Sequence, residues 1–283
     1  MVADFFDVAG EGEKRRCRAR GMVKREFGGV LVGDRVLYSP LGADEGVIEK
    51  ILPRGTQLVR PPVANVDQAL LVFSLVSPDF HPRFVDKVLL SVLQAGLNPV
   101  FAITKVDLAS SEIFETVSRP YRQNGYRVIG VATKQGIGVD EVRVELAGKV
   151  SVFTGPSGAG KSTLANAIVP GLGLKMGEVS AKIGRGKHTT RHVELFSLDG
   201  NSFIADAPGF SQLSLDIPSA ELRLWFPEFQ SPAEACLYRG CLHYQETDCG
   251  VKEAVQSGLI EQVRYDSYRD LLVELIQQEE RRY

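Results

Sequence analysis

Residues 155–163 read Gly-Pro-Ser-Gly-Ala-Gly-Lys-Ser-Thr and fill the pattern G-x-x-x-x-G-K-S/T without a mismatch. The apolar run Val150-Ser151-Val152-Phe153-Thr154 precedes it, and Leu164-Ala165-Asn166-Ala167-Ile168 follows it. A strand turning through glycines into a helix is the local context in which this pattern has chemical meaning. Glycines let backbone N–H groups turn inward around a β-phosphate. The expected phosphate cradle is therefore Gly155, Pro156, Ser157, Gly158, Ala159 and Gly160, continuing into Lys161, Ser162 and Thr163. Lys161 is placed to bridge the β- and γ-phosphates, and Ser162 to ligate Mg²⁺ through its hydroxyl.

About 40 residues beyond this loop, Asp206-Ala207-Pro208-Gly209 closes the strand Phe203-Ile204-Ala205. A D-x-x-G element puts a carboxylate, here Asp206, near Mg²⁺ and a glycine N–H, here Gly209, near the γ-phosphate. Between the two lies Gly184-Arg185-Gly186-Lys187-His188-Thr189-Thr190-Arg191-His192. Its glycines suit a segment that closes over the γ-phosphate and Mg²⁺, and Thr189 and Thr190 both stand as the closing residue.

Upstream of the loop, Thr104-Lys105-Val106-Asp107 follows the strand Pro99-Val100-Phe101-Ala102-Ile103 and resembles the guanine-reading N-K-x-D element of GTPases. A carboxylate such as Asp107 accepts hydrogen bonds from guanine's ring N–H and exocyclic amine, whereas adenine would leave a buried charge unpaired. The Lys105 stem covers one face of the base. Thr104 stands where Asn is usual, so a contact to the base or the phosphate loop is lost or replaced by a hydroxyl. A second element, Val131-Ala132-Thr133-Lys134-Gln135-Gly136-Ile137-Gly138-Val139-Asp140-Glu141-Val142, resembles V-S-A-K-T-G-E-G-V-D-E-L. Ala132 and Thr133 replace its Ser-Ala pair, in a segment that meets the base mainly through backbone N–H groups. Both base-reading elements precede the phosphate loop, the reverse of the ordinary order. The sequence reads as a circularly permuted GTPase.

Strands are expected at 66–76, 98–104, 126–132, 149–154, 192–198 and 202–206, with helices at 82–96, 111–124, 138–147 and 161–169. This alternation means a parallel sheet covered by helices on both faces. Residues 17–62 differ: short alternating runs separated by Gly and Asp turns, ended by Pro61-Pro62, indicate a small β-barrel or sandwich. After about residue 215 no strand pattern remains. There Cys236, Cys241, His243 and Cys249 are spaced C-x₄-C-x-H-x₅-C, a closed donor set for one structural Zn²⁺. In the last helix Tyr265, Tyr268, Leu271, Leu272, Leu275 and Ile276 share a face at helical spacing.

Together these marks resemble the RsgA (YjeQ) family of bacterial small-subunit biogenesis GTPases. Gly186-Lys187-His188-Thr189-Thr190, Phe226-Pro227-Glu228-Phe229 and Cys249-Gly250-Val251-Lys252-Glu253-Ala254-Val255 add to the likeness. The resemblance implies three domains: an all-β OB-fold RNA-binding domain at 1–63, a permuted α/β GTPase domain at 64–215 and a mostly helical zinc domain at 216–283. It implies GTP hydrolysis stimulated by the small ribosomal subunit during its late maturation. The competing reading is an RNA-docking assembly factor in which GTP is only a conformational ligand. A P-loop ATPase or kinase is a third.

Lys plus Arg total 33 and Asp plus Glu 35, so the net charge of -2 announces no nucleic-acid binder. The sum hides two acid-free basic stretches. Lys14, Arg15, Arg16, Arg18, Arg20, Lys24 and Arg25 form one, and Lys182, Arg185, Lys187 and Arg191 the other. Such runs track phosphates, here those of rRNA. The position after D-x-x-G, often a water-orienting Gln, is Phe210. His188 is the candidate replacement, alongside the reading in which it contacts only RNA or solvent. The N-terminus shows no secretory signal and no apolar stretch reaches membrane-spanning length, so a cytoplasmic protein is expected. Nothing in the sequence suggests an obligate oligomer, so a monomer is expected.

Overall fold

Two kinds of hydrophobic pattern build two kinds of sheet. The structure, a computed structural model, describes residues 5–10, 13–26, 28–59, 62–169, 194–206 and 215–281, without the side chains of 24–26, 59, 194 and 206. His188, Thr189, Thr190 and Gly209 lie outside the described residues, as do Lys182, Arg185, Lys187, Arg191 and Phe210.

A loose alternation of inward and outward positions marks the N-terminal unit. Strands β1 (Phe5–Gly10), β2 (Glu13–Ala19), β3 (Val36–Leu41) and β4 (Glu45–Ile51) form one sheet in the order β1-β2-β4-β3. A short helix α1 (Gly21–Glu26) follows β2, and a hairpin of β5 (Gln57–Val59) and β6 (Pro62–Ala64) completes the unit. Pro62 opens β6, where a missing N–H is tolerated. Cys17, Val23, Ile48 and Ile51 form the small core of the unit. Most of the basic run of residues 14–25 lies on an interior strand, β2. β2 pairs antiparallel with β1 and parallel with β4. Alternation makes this possible: Cys17 is buried, while Lys14, Arg16 and Arg18 point outward and are exposed. The run Gly29–Val32 contributes only a bridge, Val32 to Val63.

Continuous apolar runs govern the central unit. Its strands are β7 (Gln68–Ser74), β8 (Asn98–Thr104), β9 (Arg127–Val131), β10 (Val150–Thr154), β11 (Glu194–Ser197) and β12 (Phe203–Asp206). They lie in the order β11-β12-β10-β7-β8-β9. Helices α2 (Pro82–Gln94), α3 (Ser111–Gln123), α4 (Val139–Leu146) and α5 (Lys161–Ile168) alternate with them. All seven residues of β7 are buried, as a strand covered on both faces requires. Leu71 and Phe73 join one core with Val85, Leu89 and Tyr121 of α2 and α3. Leu70 and Val72 join the other with Val142 and Leu164 of α4 and α5. The expected parallel sheet holds for five strands. β11 runs antiparallel to β12, because residues 198–202 form a tight turn too short for a crossover. The Asp199 carboxylate secures this turn by accepting the Asn201 and Ser202 N–H groups.

The C-terminal unit has no strand among its described residues. It contains 3₁₀ turns at Ser219–Trp225 and Pro227–Phe229, then α6 (Gln230–Ala233), α7 (Gly250–Gln256) and α8 (Gln262–Glu280). Tyr265, Tyr268, Leu271, Leu272 and Leu275 are buried along α8, with Ile276 packed at the margin. The Phe226 and Phe229 rings stack at 5.2 Å, and Tyr268 meets both edge-on. Leu90 of α2 belongs to this same core, so the unit packs onto the central unit rather than standing apart.

Candidate functional site

The phosphate loop leaves β10 and enters α5 through three glycines at positive φ: Gly155 (141°), Gly158 (81°) and Gly160 (92°). Gly155 is obligatory, since a Cβ there would lie 1.9 Å from the Val72 carbonyl oxygen. Lys161 is 6% exposed and donates to the carbonyl oxygens of Gly155 (2.8 Å) and Pro156 (2.7 Å). Burial lowers its pKa to about 8. A cationic side chain held by neutral carbonyls over a cleft is poised for a stronger anionic partner.

The cleft itself has a volume of about 530 Å³. Ser157, Gly158, Gly160, Lys161, Ser162 and Thr163 form one wall. Thr104, Lys105, Asp107 and Leu108 form a second, and Thr133 and Lys134 a third. Parallel pairing of β8 with β7 and β9, and of β10 with β7, brings these three distant segments to the same end of the sheet. Asp107 sits in a 3₁₀ turn (Val106–Leu108) whose preceding residue, Lys105, has φ 58°. The Lys105 ammonium donates to the carbonyls of Val76 (3.2 Å), Ser77 and Gly158 (3.0 Å), tying the base side to the phosphate loop. Thr104, 2% exposed, donates through Oγ1 to Ala159 O at 2.6 Å.

Not every expected residue reaches the cleft surface. Ala132 is buried, and its backbone exchanges hydrogen bonds with Ile137, so it shapes the turn that presents Thr133. Gly155, Pro156 and Ala159 shape the loop from behind. Asp206 ends β12, which pairs directly with β10 through Val152 and Ala205. Leu108 and Lys134 line the cleft without having been singled out from sequence. Their signal was adjacency alone: one follows Asp107, the other follows Thr133.

The second cluster lies in the C-terminal unit. The donor atoms of Cys236, Cys241, His243 and Cys249 all fall within 4.8 Å of one another. His243 Nδ1 is 3.5 Å from Cys236 Sγ and 3.3 Å from Cys249 Sγ, and those two sulfurs are 3.9 Å apart. Tetrahedral zinc needs S···S of ~3.8 Å and S···N of ~3.5 Å, which the Cys236, His243 and Cys249 donors match, with Cys241 within 4.8 Å as the fourth. Burial lowers the His243 pKa to about 4, keeping the imidazole in its ligating neutral form. The loop is held from outside as well. Tyr265 donates to His243 O at 2.9 Å, and the Glu246 carboxylate accepts the N–H groups of Leu242 and Tyr244. Gly250 lets α7 approach, since a Cβ there would lie 2.2 Å from Pro232 O.

A family model described as RsgA GTPase matches residues 51–216, and one described as RsgA N-terminal domain matches residues 1–48. The chain belongs to the RsgA GTPase family. Relatives of the RsgA name agree along nearly the full length. The small ribosomal subunit biogenesis GTPase RsgA of Geobacillus thermodenitrificans is 46% identical over 278 residues, covering 97% of this chain and 94% of its own. That of Caldanaerobacter subterraneus subsp. tengcongensis is 44% identical, covering 100% and 96%. The crystal structure of YjeQ from Thermotoga maritima superposes with a TM-score of 0.80 at 34% identity, covering 96% of this chain and 94% of that one. YloQ, solved as a circularly permuted GTPase, gives 0.78 at 36% identity, covering 98% and 93%. The RsgA assignment and the observed strand order agree. The base-side strands β8 and β9 come before β10 in the chain yet lie in one sheet with it, which is the permuted arrangement.

Proposed function

We propose that this protein is a GTPase that binds the small ribosomal subunit and assists its late maturation, hydrolysing GTP to GDP and phosphate under stimulation by that subunit. The observation that carries this reading is the single cleft on which the Lys161 loop, Asp107 and Thr133 converge. In this reading Lys161 stabilises charge on the β- and γ-phosphates, and Ser162, Asp206 and Thr190 lie around a Mg²⁺ ion. When bound, Mg²⁺ neutralises charge developing between the β- and γ-oxygens. Asp107 reads the base, and Thr189 and Gly209 approach the γ-phosphate. Residues 1–63 dock on rRNA, 64–215 hydrolyse and 216–283 are organised by zinc, in a cytoplasmic monomer.

The N-terminal sheet supports an RNA partner. On the outer face of β2, the Arg16 and Arg18 guanidinium carbons lie 4.3 and 4.4 Å from the centroid of the Phe5 ring. Arginines fixed on a half-buried aromatic present their charge to phosphates on this face. Turnover measured with and without purified small subunits tests the whole reading, and equal rates would favour the docking-factor alternative. Competition of GTP against ATP tests Asp107, and ATP preference would refute its assignment.

Since Phe210 offers no hydrogen bond to the attacking water, His188 is proposed to orient it. The variant His188→Ala is expected to keep GTP affinity and lose the subunit-stimulated rate by roughly 10²-fold or more. Stimulated turnover at the wild-type rate would remove that role.

A further inference from the structure

Thr104 occupies the position where the guanine-reading element usually carries Asn, and the structure shows where its hydroxyl goes. It is the last residue of β8, buried at the bottom of the cleft. Two acceptors lie within its reach, Ala159 O at 2.6 Å and Phe73 O at 3.3 Å. Both are backbone carbonyls, which only accept, so the single hydroxyl hydrogen is committed to the nearer, Ala159. The next residue repeats the pattern: Lys105 donates to Gly158 O at 3.0 Å. Consecutive side chains of the base-side element thus hold consecutive carbonyls of the phosphate loop. The Thr104 side chain also packs 3.6–3.8 Å from where a Cβ on Gly160 would stand.

Guanine presents N7 and O6 as acceptors on its outer edge. A hydroxyl already donating to Ala159 has no hydrogen left for either. An amide at the same place would have two. We infer that Thr104 is a positioning residue for the phosphate loop and makes no contact with the base. This rests on the nucleotide-site reading above. The mechanism follows from peptide planarity. In a trans peptide the C=O and N–H point in opposite directions. Holding Ala159 O toward Thr104 turns the Gly160 N–H to the other side of the loop. It thereby fixes the left-handed turn from which Lys161 and Ser162 enter α5. Base discrimination is left to Asp107 and the Thr133 turn.

Dissociation constants for GDP, 7-deaza-GDP and ADP, measured on the full chain and on Thr104→Val and Thr104→Ser, test this. Valine keeps the shape and leaves the buried Ala159 carbonyl without its donor. Thr104→Val is expected to weaken GDP and 7-deaza-GDP by the same factor, roughly tenfold, and Thr104→Ser to restore both. A penalty for 7-deaza-GDP in the wild type that disappears in Thr104→Val would show the hydroxyl reading N7 and overturn the inference. So would unchanged GDP affinity in Thr104→Val, or failure of serine to rescue a loss. Failure of the underlying nucleotide-site reading looks different: the wild type itself would bind ADP as well as GDP, or neither.

Discussion

Lys161 carries the sharpest residue-scale consequence. Its pKa near 8 is that of an ammonium buried against two carbonyls, and a polyphosphate would favour the charged form. Below pH 8 the side chain is already protonated, and binding needs no proton. Above pH 8 the free protein is increasingly neutral there, so binding must take up a proton. GDP affinity is therefore expected to fall by about tenfold per pH unit above pH 8. Calorimetric titrations at pH 8.5 in buffers of differing ionisation enthalpy would reveal the uptake, and a flat affinity from pH 7 to 9.5 would contradict it. The phosphate loop was legible in sequence because each of its residues answers to a local rule. Thr104 was not. Whether a departing hydroxyl meets base or loop depends on Ala159, 55 residues away in the chain and 2.6 Å away in space.

At the scale of elements, periodicity located the central strands and helices to within a few residues. It failed where two signals competed. β2 reads as a phosphate-tracking basic run rather than a strand because arginines dominate its composition. Its inward positions, Cys17 and Ala19, are too few to register as an alternating strand beside them. The antiparallel turn into β12 was likewise invisible, since strand direction is not a property of either strand alone. The zinc loop was legible because its donors cluster within 14 residues. Two of those donors, Cys241 and Cys249, belong to the C-terminal core. Removing zinc with a chelator therefore exposes core as well as ligands. The expected result is a loss of several kcal/mol and a fall of roughly 5–10 °C in Tm. GDP affinity should be unchanged, because the cleft is built from other elements. Thermal melts and nucleotide titrations on the same chelated sample check both halves.

At the scale of the whole molecule, the C-terminal unit is fastened to the central sheet by a buried charge cluster. Arg264 of α8 donates to Glu228 (2.7 Å) and to Asp86 of α2, and its guanidinium lies over the rings of Phe226 and Tyr121. Tyr121 and Ser267 hydroxyls face the same Asp86 carboxylate. At the surface Glu274 accepts from Arg83 and Lys87 of α2, and Arg119 of α3 donates to Glu261. Burial opposes the charge of Arg264, but the Asp86 and Glu228 carboxylates outweigh it and raise its pKa. Burial likewise raises the Asp86 carboxyl, against the pull of Arg264. Replacing Arg264 with Met leaves two carboxylates buried without their cation. The expected cost is about 3–5 kcal/mol at pH 7. The Asp86 carboxyl, raised by burial, costs stability as pH rises and would be raised further without its cation, so the deficit should shrink on acidification toward pH 5. Denaturant midpoints of Arg264→Met and wild type at both pH values measure it, and a deficit that grows with acidification would contradict it. No sequence rule pairs residues 178 apart, and this contact was not foreseen.

The strand order also sets a timetable for synthesis. β7, β8 and β9 with α2 and α3 form a contiguous block that is synthesised before any of the phosphate loop. That block can close its own parallel ladder, yet β7 keeps a bare edge until β10 arrives to pair with it. At ordinary elongation rates the gap from the end of β9 to the end of β10 lasts roughly 1–5 s. During it, an apolar strand waits with unpaired backbone groups, the kind of edge on which nascent chains adhere to one another. In this strand order the β7 edge is closed only when β10 has been made, and nucleotide can add its contacts only after α5 has emerged.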